Sequence, residues 1–363
     1  MAASLLVILI AVGCQTVPKG KTQRDIVMYP PPPAAPRMQF LRAFSTRRDI
    51  GQQQYRWVDL LVGPLDEDRE RFMKPYGIAV MPGKFYLCDT IAGTVWVVNF
   101  AQGGFQPIAG DRAQGKLRKP TNIAIDTEGR KYVADTVRNQ VVVFGPNDEY
   151  VAAFGGPEDL RKPSGVAVSG ERLIVTDVDG QTVQIRDKRT GAVLKVFGSP
   201  ETANNPDEAV RQPTNVTVDR TGNIVVSDFG SYRIMFFSPE GEYLGAFGGL
   251  GRGLGEFAAP KGVAIDGANR IYVVDSGFEN VRLFDEDHRL LMWFGELDQV
   301  EGALTLPAQV VIDYQNVDYF RKYVAPGHDI EYVVWVTSQS GPRLVSCYGF
   351  LKNNAMPEAN VAE

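Results

Sequence analysis

The chain has 363 residues, of which 44% are hydrophobic and 22% are charged, and its formal net charge is −5. This composition provides ample apolar material for one large globular domain. The small net negative charge does not indicate the basic surface that nucleic-acid binding requires, so we predict that nucleic acid is not a partner.

The chain opens with an apolar run at residues 5–12, directly before Gly13 and Cys14. The run is too short to span a bilayer and is typical of a signal peptide. Residues 11–14, AVGC, resemble a bacterial lipobox, which implies cleavage after residue 13 and lipidation of Cys14. Gln15, rather than Asp, follows the cysteine, which in this resemblance implies the outer membrane. No Lys or Arg precedes the run, so an ordinary cleaved signal and an uncleaved anchor remain alternatives.

Residues 14–37 are predicted to be the lipidated cysteine followed by a tether. Prolines at positions 30–33 and 36 favour an extended, stiff spacer that cannot form a core. We expect this segment to hold a globular head away from a lipid surface.

One short pattern recurs six times downstream of the tether. Each copy has a proline, an apolar strand, a tight turn and a second strand, as in KPTNIAIDTEGRKYVADT at residues 119–136. The prolines stand at 75, 120, 163, 213, 260 and 307, at intervals of 45, 43, 50, 47 and 47 residues. A regular period of this length predicts stacked supersecondary units.

The apolar spacing inside each unit is that of strands. Third strands follow as QVVVF or RIMFF, and fourth strands as EYVAAFGG or EYLGAFGG. Four short strands in each unit describe one blade of a β-propeller. We therefore predict an all-β, six-bladed β-propeller.

The sixth unit lacks a fourth strand, because the chain after residue 351 does not have a strand pattern. Residues 38–45, MQFLRAFS, copy the fourth-strand pattern before the first blade. An N-terminal strand that completes the last blade would fasten the ring and leave no open edge there. The predicted boundaries are therefore 38–351 for the propeller and 352–363 for a C-terminal tail.

The recurring pattern resembles the NHL repeat. The stretch DTVRNQV at residues 135–141 is the best match to that repeat's core. The resemblance covers residues 38–350 and implies a propeller that serves as a binding module, a scaffold or, less often, an enzyme. No WD dipeptide recurs, which disfavours the WD40 class.

Residues suited to metal or cofactor chemistry are sparse. The chain has two histidines, and no Cys-x-x-Cys-His motif is present. We predict no cofactor, no metal and no catalytic residue. Asp89, Asp135, Asp177, Asp228 and Asp275 recur once per blade, and we interpret them as structural acceptors for the backbone of their own turns.

A polar pattern marks the inner strands. Two residues after the blade-opening prolines, blades one, three and five have glycine, and the other blades have Asn122, Asn215 and Gln309. Three amides would approach one another in the channel mouth with threefold spacing. They would order water or backbone, or bind a small polar ligand. The pattern resembles six-bladed calcium-dependent lactonases, but a hard cation requires carboxylates that these positions lack.

The long connections cluster on one face of the predicted propeller. They join the fourth strand of one blade to the first strand of the next, and we expect this face to bind a protein. Its candidate binding residues are Arg112, Arg118, Lys119, Asp207 and Glu208. The opposite face has one long loop at residues 314–331, whose aromatic residues either contact proteins or cap the closing blade.

We predict a membrane-tethered, non-enzymatic propeller that binds or scaffolds proteins in the bacterial envelope. The alternative is a hydrolase or lyase with its site in the channel mouth. The family resemblance implies multihaem cytochromes or polymer-secretion machinery as partner classes. A disulfide between Cys88 and Cys347, in adjacent blades, is a further alternative.

Overall fold

The computed structural model describes residues 26–50, 71–201, 203, 205–296 and 301–352. Six antiparallel sheets are arranged as blades around a central channel, which confirms the predicted fold class. Within each blade the strands are called a, b, c and d from the channel outward. The predicted signal peptide, Cys14 and most of the C-terminal tail lie outside the described residues.

The first strand of the described chain, β1 (Met28–Tyr29), and the second, β2 (Met38–Phe44), precede the first blade. Blade one contains β3 (Pro75–Met81), β4 (Lys84–Asp89), β5 (Thr94–Asn99) and β6 (Gly104–Pro107). Blade two contains β7 (Pro120–Ile125), β8 (Lys131–Asp135), β9 (Gln140–Phe144) and β10 (Tyr150–Gly155). Blade three contains β11 (Pro163–Ser169), β12 (Arg172–Asp177), β13 (Thr182–Asp187) and β14 (Val193–Phe197).

Blades four to six repeat this arrangement. Blade four contains β15 (Pro213–Val218), β16 (Ile224–Asp228), β17 (Arg233–Phe237) and β18 (Tyr243–Gly248). Blade five contains β19 (Pro260–Ile265), β20 (Ile271–Asp275), β21 (Asn280–Phe284) and β22 (Leu290–Phe294). Blade six contains β23 (Pro307–Asp313), β24 (Ile330–Ser338) and β25 (Val345–Leu351), with β2 as its d strand.

Helical structure in the described residues is short. The α-helix is α1 (Val317–Phe320), which continues into a 3₁₀ turn at Arg321–Tyr323. Other 3₁₀ turns are Arg47–Asp49, Ala113–Gly115 and Pro206–Glu208. No helix in the described ranges is both long enough and apolar enough to cross a membrane.

The b strands carry most of the core. Every residue of β8 is buried, as is every residue of β16 and β20. These strands pack against neighbouring blades on both faces, which explains why they are continuously rich in Val, Ile and Tyr rather than alternating. In blades two and four, the a–b turn is held by an aspartate and a glycine, and Gly129 of blade two has a φ of +79°.

The N-terminal strand closes the ring as predicted. Strand β2 pairs antiparallel with β25, from Met38 opposite Phe350 to Phe44 opposite Val345. Strand β1 then pairs with β2 as a fifth strand, and the Tyr29 hydroxyl donates to the Gly302 carbonyl at 3.2 Å. The last part of the predicted tether is therefore docked on blade six.

An aromatic cluster fills the seam between blades six and one. The rings of Phe44 and Trp335 stack with centroids 6.0 Å apart, and Phe85 lies 5.3 Å from Trp335. All three side chains are fully buried. Burial of large apolar side chains stabilises a fold by about 1.5–3 kcal/mol each, so this seam is a strong closure.

The long loop after β23 packs on the same seam. Phe320 is fully buried against Trp335, and the Tyr319 hydroxyl donates to the Phe100 carbonyl at 3.0 Å. The Asn316 side chain accepts from the Gly83 amide and donates to the Met81 carbonyl, which ties the loop to blade one. Of the two predicted roles for residues 314–331, capping of the closing blade is the one observed.

The two cysteines of the described chain are free thiols. Cys88 lies in the core between blades one and two, and Cys347 lies in the cluster at the closing seam. Burial raises the pKa of both thiols. The alternative of a disulfide across the seam is therefore not observed.

Candidate functional site: the d–a face and the channel

The repeated aspartates hold the loop ends that surround the channel. In blade two, the Asp135 carboxylate accepts from the Arg118 amide at 2.6 Å and from the Lys119 amide at 3.0 Å. It also accepts from the Val137 and Arg138 amides of its own b–c turn, each at 3.2 Å. The predicted structural role is confirmed, and it extends from the turn to the d–a loop.

The same arrangement recurs in the first five blades. In each, the b-strand aspartate accepts from the two backbone amides just before the blade-opening proline. In blade six, Ser338 takes the place of the aspartate, and its hydroxyl accepts from the Thr305 backbone amide at 3.3 Å. We call the twelve residues at these positions the rim: Met73, Lys74, Arg118, Lys119, Arg161, Lys162, Arg211, Gln212, Ala258, Ala259, Thr305 and Leu306.

The rim has a basic sector in blades one to four. It consists of Lys74, Arg118, Lys119, Arg161, Lys162 and Arg211. Within the described ranges, Lys162 has an ion-pair partner, Asp179 at 3.2 Å, and that pair is exposed on both sides. Exposed pairs of this kind contribute little free energy. The sector therefore presents several cations on a backbone that buried carboxylates hold in place.

The sequence prediction identified part of this sector. Arg118 and Lys119 lie on the rim, whereas Arg112 lies farther back in the same loop, before a 3₁₀ turn. Asp207 and Glu208 lie in another d–a loop, and Asp207 is already paired with Arg233 at 3.1 Å. The prediction missed the basic residues before the other prolines, although the position relative to each proline would have identified them.

This face also has exposed apolar side chains, as do the outer d strands β10, β14, β18 and β22. Six large apolar residues in its d–a loops and b–c turns are between 46% and 72% exposed: Met73, Ile91, Val137, Leu250, Leu254 and Leu306. On the opposite face, the large side chain with similar exposure in the described chain is that of Tyr314, whose hydroxyl accepts from the Gly267 amide. We call Met73, Leu250, Leu254 and Leu306 the apolar sector, since they lie in the loops leading to blades five, six and one.

The channel-mouth amides are explained largely by packing. A Cβ placed on Gly77 would lie 2.6 Å from the Asn122 Cα, and one on Gly262 would lie 2.7 Å from the Gln309 Cα. The equivalent distance from Gly165 to the Asn215 Cα is 2.9 Å. Each glycine therefore lets the amide-bearing strand of the next blade approach closely, which produces the alternation seen in the sequence.

Two of the three predicted amides are in contact. Asn215 Nδ2 donates to Gln309 Oε1 at 2.5 Å, and both side chains are buried. Asn122 is equally buried, and its Oδ1 accepts from the adjacent Ile123 amide. The amide layer is therefore present, with a contact between two of its members rather than a symmetric triad.

A lysine and a tyrosine flank the channel on the rim side. Lys261 Nζ lies 6.0 Å from the centre of the Tyr76 ring. Burial, with a further contribution from Lys74, lowers the pKa of Lys261, and burial raises the pKa of Tyr76 to about 12. These groups extend the basic sector to the channel mouth.

Below the amide layer, the channel holds a cavity of about 410 Å³ that is lined mainly by residues with aliphatic side chains, while polar atoms provide about half of its exposed surface. The ionisable carboxylate in its wall is Asp313, which accepts from Trp335 Nε1 at 2.9 Å and from Asn316. No group of three metal-ligating His, Cys, Asp or Glu residues occurs in the described part of the chain. The arrangement is suited to recognition by shape and neutral hydrogen bonds.

Comparison with known proteins shows sequence similarity over part of the propeller. No protein-family model matches the chain. Protein brain tumor of Drosophila melanogaster is 27% identical over 142 residues, which are 37% of this chain and 13% of that protein. The match thus covers about an eighth of that relative's length.

Similar solved structures cover more of the chain at lower identity. Virginiamycin B lyase from Staphylococcus aureus is 12% identical, with a TM-score of 0.51 over 77% of this chain and 85% of that one. A protein of unknown function from Bacteroides thetaiotaomicron is 17% identical, with a TM-score of 0.57 over 78% and 71% of the two chains. A candidate gluconolactonase is 13% identical, with a TM-score of 0.54 over 77% and 90%. The chain thus has the six-bladed β-propeller fold, whose other examples include enzymes.

Proposed function

We propose that this protein is a lipid-anchored, non-enzymatic propeller of the NHL type that binds a protein partner in the bacterial envelope. The observation that carries the proposal is the d–a face, where the basic sector of the rim and the apolar sector lie side by side. The recurring DTVRNQV-like pattern supports the NHL assignment, and the AVGC stretch supports the anchor at Cys14.

The composition of the face favours a protein over a simple polyanion. Exposed leucines such as Leu250 and Leu254 cost free energy in water and are typical of surfaces that another protein covers. Flanking cations orient an approaching partner and raise its association rate. The matching partner surface would present acidic side chains beside an apolar patch. Multihaem cytochromes and polymer-secretion proteins are the partner classes that the NHL-lipoprotein resemblance implies.

The alternative of a hydrolase or lyase in the channel has less support. The neutral amides at the channel mouth are packed against glycines of the preceding blades, and Asp313 is engaged by four donors. Packing explains the position of the amides and hydrogen bonds occupy the carboxylate, whereas the exposed rim cations have few partners in the described chain. We therefore place the functional contact on the rim.

Site-specific photocrosslinking in intact cells tests the proposed face. A photoreactive amino acid at Leu254 is expected to give a defined crosslinked adduct, because this side chain is 72% exposed within the apolar sector. The same amino acid at Asp287, in an exposed c–d turn of the opposite face, is the matched control. An adduct from position 287 without one from position 254 would place the contact on the face opposite the rim and contradict the proposal.

Charge reversal then tests the basic sector. Arg118→Glu with Lys119→Glu is expected to reduce the adduct about tenfold or more, as typical for the loss of two interface cations. Asp207→Lys with Glu208→Lys should have a weaker effect, since Asp207 is already paired with Arg233. If neither the Arg118→Glu with Lys119→Glu reversal nor Met73→Asp with Leu250→Asp changes the adduct formed at position 254, this face is not the docking surface.

A further inference from the structure

The central channel contains a regular aliphatic ring. The fifth residue after each blade-opening proline is valine or isoleucine, and every one of these side chains is half-buried and lines the cavity: Val80, Ile125, Val168, Val218, Ile265 and Ile312. All six blades contribute to the ring. Exposed Tyr314 and Gln315 also line the cavity, so it reaches solvent on the face opposite the rim.

The amide layer lies at the other end of this cavity. Amides stand two residues after the proline and the aliphatic ring stands five residues after it, on strands that rise about 3.3 Å per residue. The two levels are therefore about 10 Å apart, which is the length of a medium-chain acyl group. The cavity volume of about 410 Å³ is in the range of small-molecule pockets.

Two polar atoms of the amide layer have no hydrogen-bond partner within the described chain. They are Asn122 Nδ2, a donor, and Asn215 Oδ1, an acceptor, and each residue is 1% exposed. Asn122 itself lines the cavity. Buried polar atoms are nearly always paired, and an unpaired one is costly, so these atoms indicate a missing partner.

The chemistry of that partner follows from the lining. Asp313 is the charged residue in the cavity wall, and its carboxylate already accepts from Trp335, Asn316 and two backbone amides. Lys261 lies at the channel mouth on the rim side and is not part of this wall, so an ion inside the cavity would find no free counter-charge there. A neutral head that both accepts and donates hydrogen bonds would match Asn122 Nδ2 and Asn215 Oδ1.

We propose that the channel binds a neutral, medium-chain amphiphile. Its carboxamide or hydroxyl head is hydrogen-bonded to Asn122, and its aliphatic chain is surrounded by the valine and isoleucine ring. The ligand enters from the face opposite the rim, so this site is separate from the proposed protein-binding surface.

Calorimetric titration with three probes tests the proposal. The full-length chain would carry Cys14→Ser, which keeps it free of lipid and detergent. Octanamide is expected to bind saturably at one site, and acetamide, which lacks the chain, should not bind detectably. Octanoate should bind about tenfold more weakly or worse, because it brings a charge and no donor into the cavity. Absence of saturable octanamide binding, or equal binding of octanoate, would overturn the proposal.

Two variants locate the ligand. Asn122→Ala is expected to weaken octanamide binding about tenfold, the equivalent of one hydrogen bond, and Asn147→Ala on an exposed turn is the control. Gln315→Trp places a larger side chain at the exposed opening of the cavity and should abolish binding while leaving the circular dichroism spectrum unchanged. A folded Gln315→Trp protein that binds octanamide normally would show that the ligand lies elsewhere.

Discussion

Asp135 illustrates how a single side chain both stabilises a blade and positions the proposed binding surface. Its carboxylate accepts from four backbone amides, two at the end of the d–a loop and two in the b–c turn. The loop carries Arg118 and Lys119, so the same bonds that satisfy buried backbone donors also hold the rim in place. Repeated aspartates are thus structural, yet they determine where the functional side chains stand.

Removal of this carboxylate should destabilise the protein strongly. Asp135→Ala leaves several buried amide donors without acceptors, and we expect a loss of about 2–4 kcal/mol in the free energy of unfolding. Asp135→Asn keeps one acceptor oxygen and should lose less. Urea denaturation measures both changes, and equal stability of all three proteins would contradict the assigned role.

His288 makes a smaller, pH-dependent contribution. Its ring stacks on Phe247 with centroids 4.4 Å apart, and burial lowers its pKa from the ordinary 6.5, against the opposing effect of Asp285 and Asp287. The unfolded chain therefore takes up a proton at a higher pH than the folded chain does. Stability attributable to His288 is present above about pH 6.5 and is lost as the pH falls below it.

His288→Asn is the matched variant, because asparagine tolerates the φ of +64° at this position. Between pH 7.5 and pH 5.5, the wild type should lose more stability than the variant. Thermal melts at both pH values measure the difference. A variant with the same pH dependence of stability as the wild type would show that His288 does not contribute to that dependence.

At the level of elements, we expect strand β2 to contribute most to closure of the ring. It provides the d strand of blade six, and its Phe44 side chain joins the aromatic cluster at the seam with blade one. Loss of β2 would expose the edge of β25 and remove Phe44 from the core. The loop with α1 caps the same seam, so two elements far apart in sequence stabilise one closure.

Deletion of residues 38–44 should therefore abolish the cooperative unfolding transition, whereas deletion of residues 16–25 should leave Tm unchanged. Differential scanning calorimetry provides the comparison. The deletion of 16–25 is the matched control because it shortens the N-terminal segment without removing β1 or β2. Normal melting after loss of 38–44 would refute closure by the N-terminal strand.

At the scale of the whole molecule, the proposed anchor and the proposed docking face are separate features. The ring places the rim on one face, while the described N-terminal residues dock at the outer edge of blade six through β1. A partner could therefore reach the rim without displacing this attachment. The proposed channel ligand would enter from the third accessible region, the face opposite the rim.

Membrane attachment is expected to depend on Cys14. Cys14→Ser should move the protein from the membrane fraction to the soluble fraction, because a bacterial lipoprotein is held by several acyl chains whereas one chain binds only marginally. Fractionation and immunoblotting measure the distribution, with Cys88→Ser as a control that retains Cys14. Retention of the Cys14→Ser protein in membranes would indicate another anchor.

The sequence alone determined the propeller, the number of blades and the closing strand. These features depend on strand periodicity and on a pattern that repeats about every 45 residues, and each copy can be read locally. It also indicated the structural aspartates, because a residue that recurs once per blade has a recurring geometric role. Their hold on the d–a loops was added by the structure.

The functional surfaces were decided by tertiary structure. The d–a face joins residues that stand about one repeat apart in sequence, so its basic and apolar sectors emerge only when the blades close around the channel. The alternation of glycine and amide depends on how closely neighbouring inner strands approach, as between Gly77 and Asn122. The aromatic loop at residues 314–331 was ambiguous for the same reason, since burial of Phe320 depends on Trp335 and Phe100 across the seam. Patterns along the chain specify elements, whereas contacts between distant residues decide which side chains are buried and which remain available for binding.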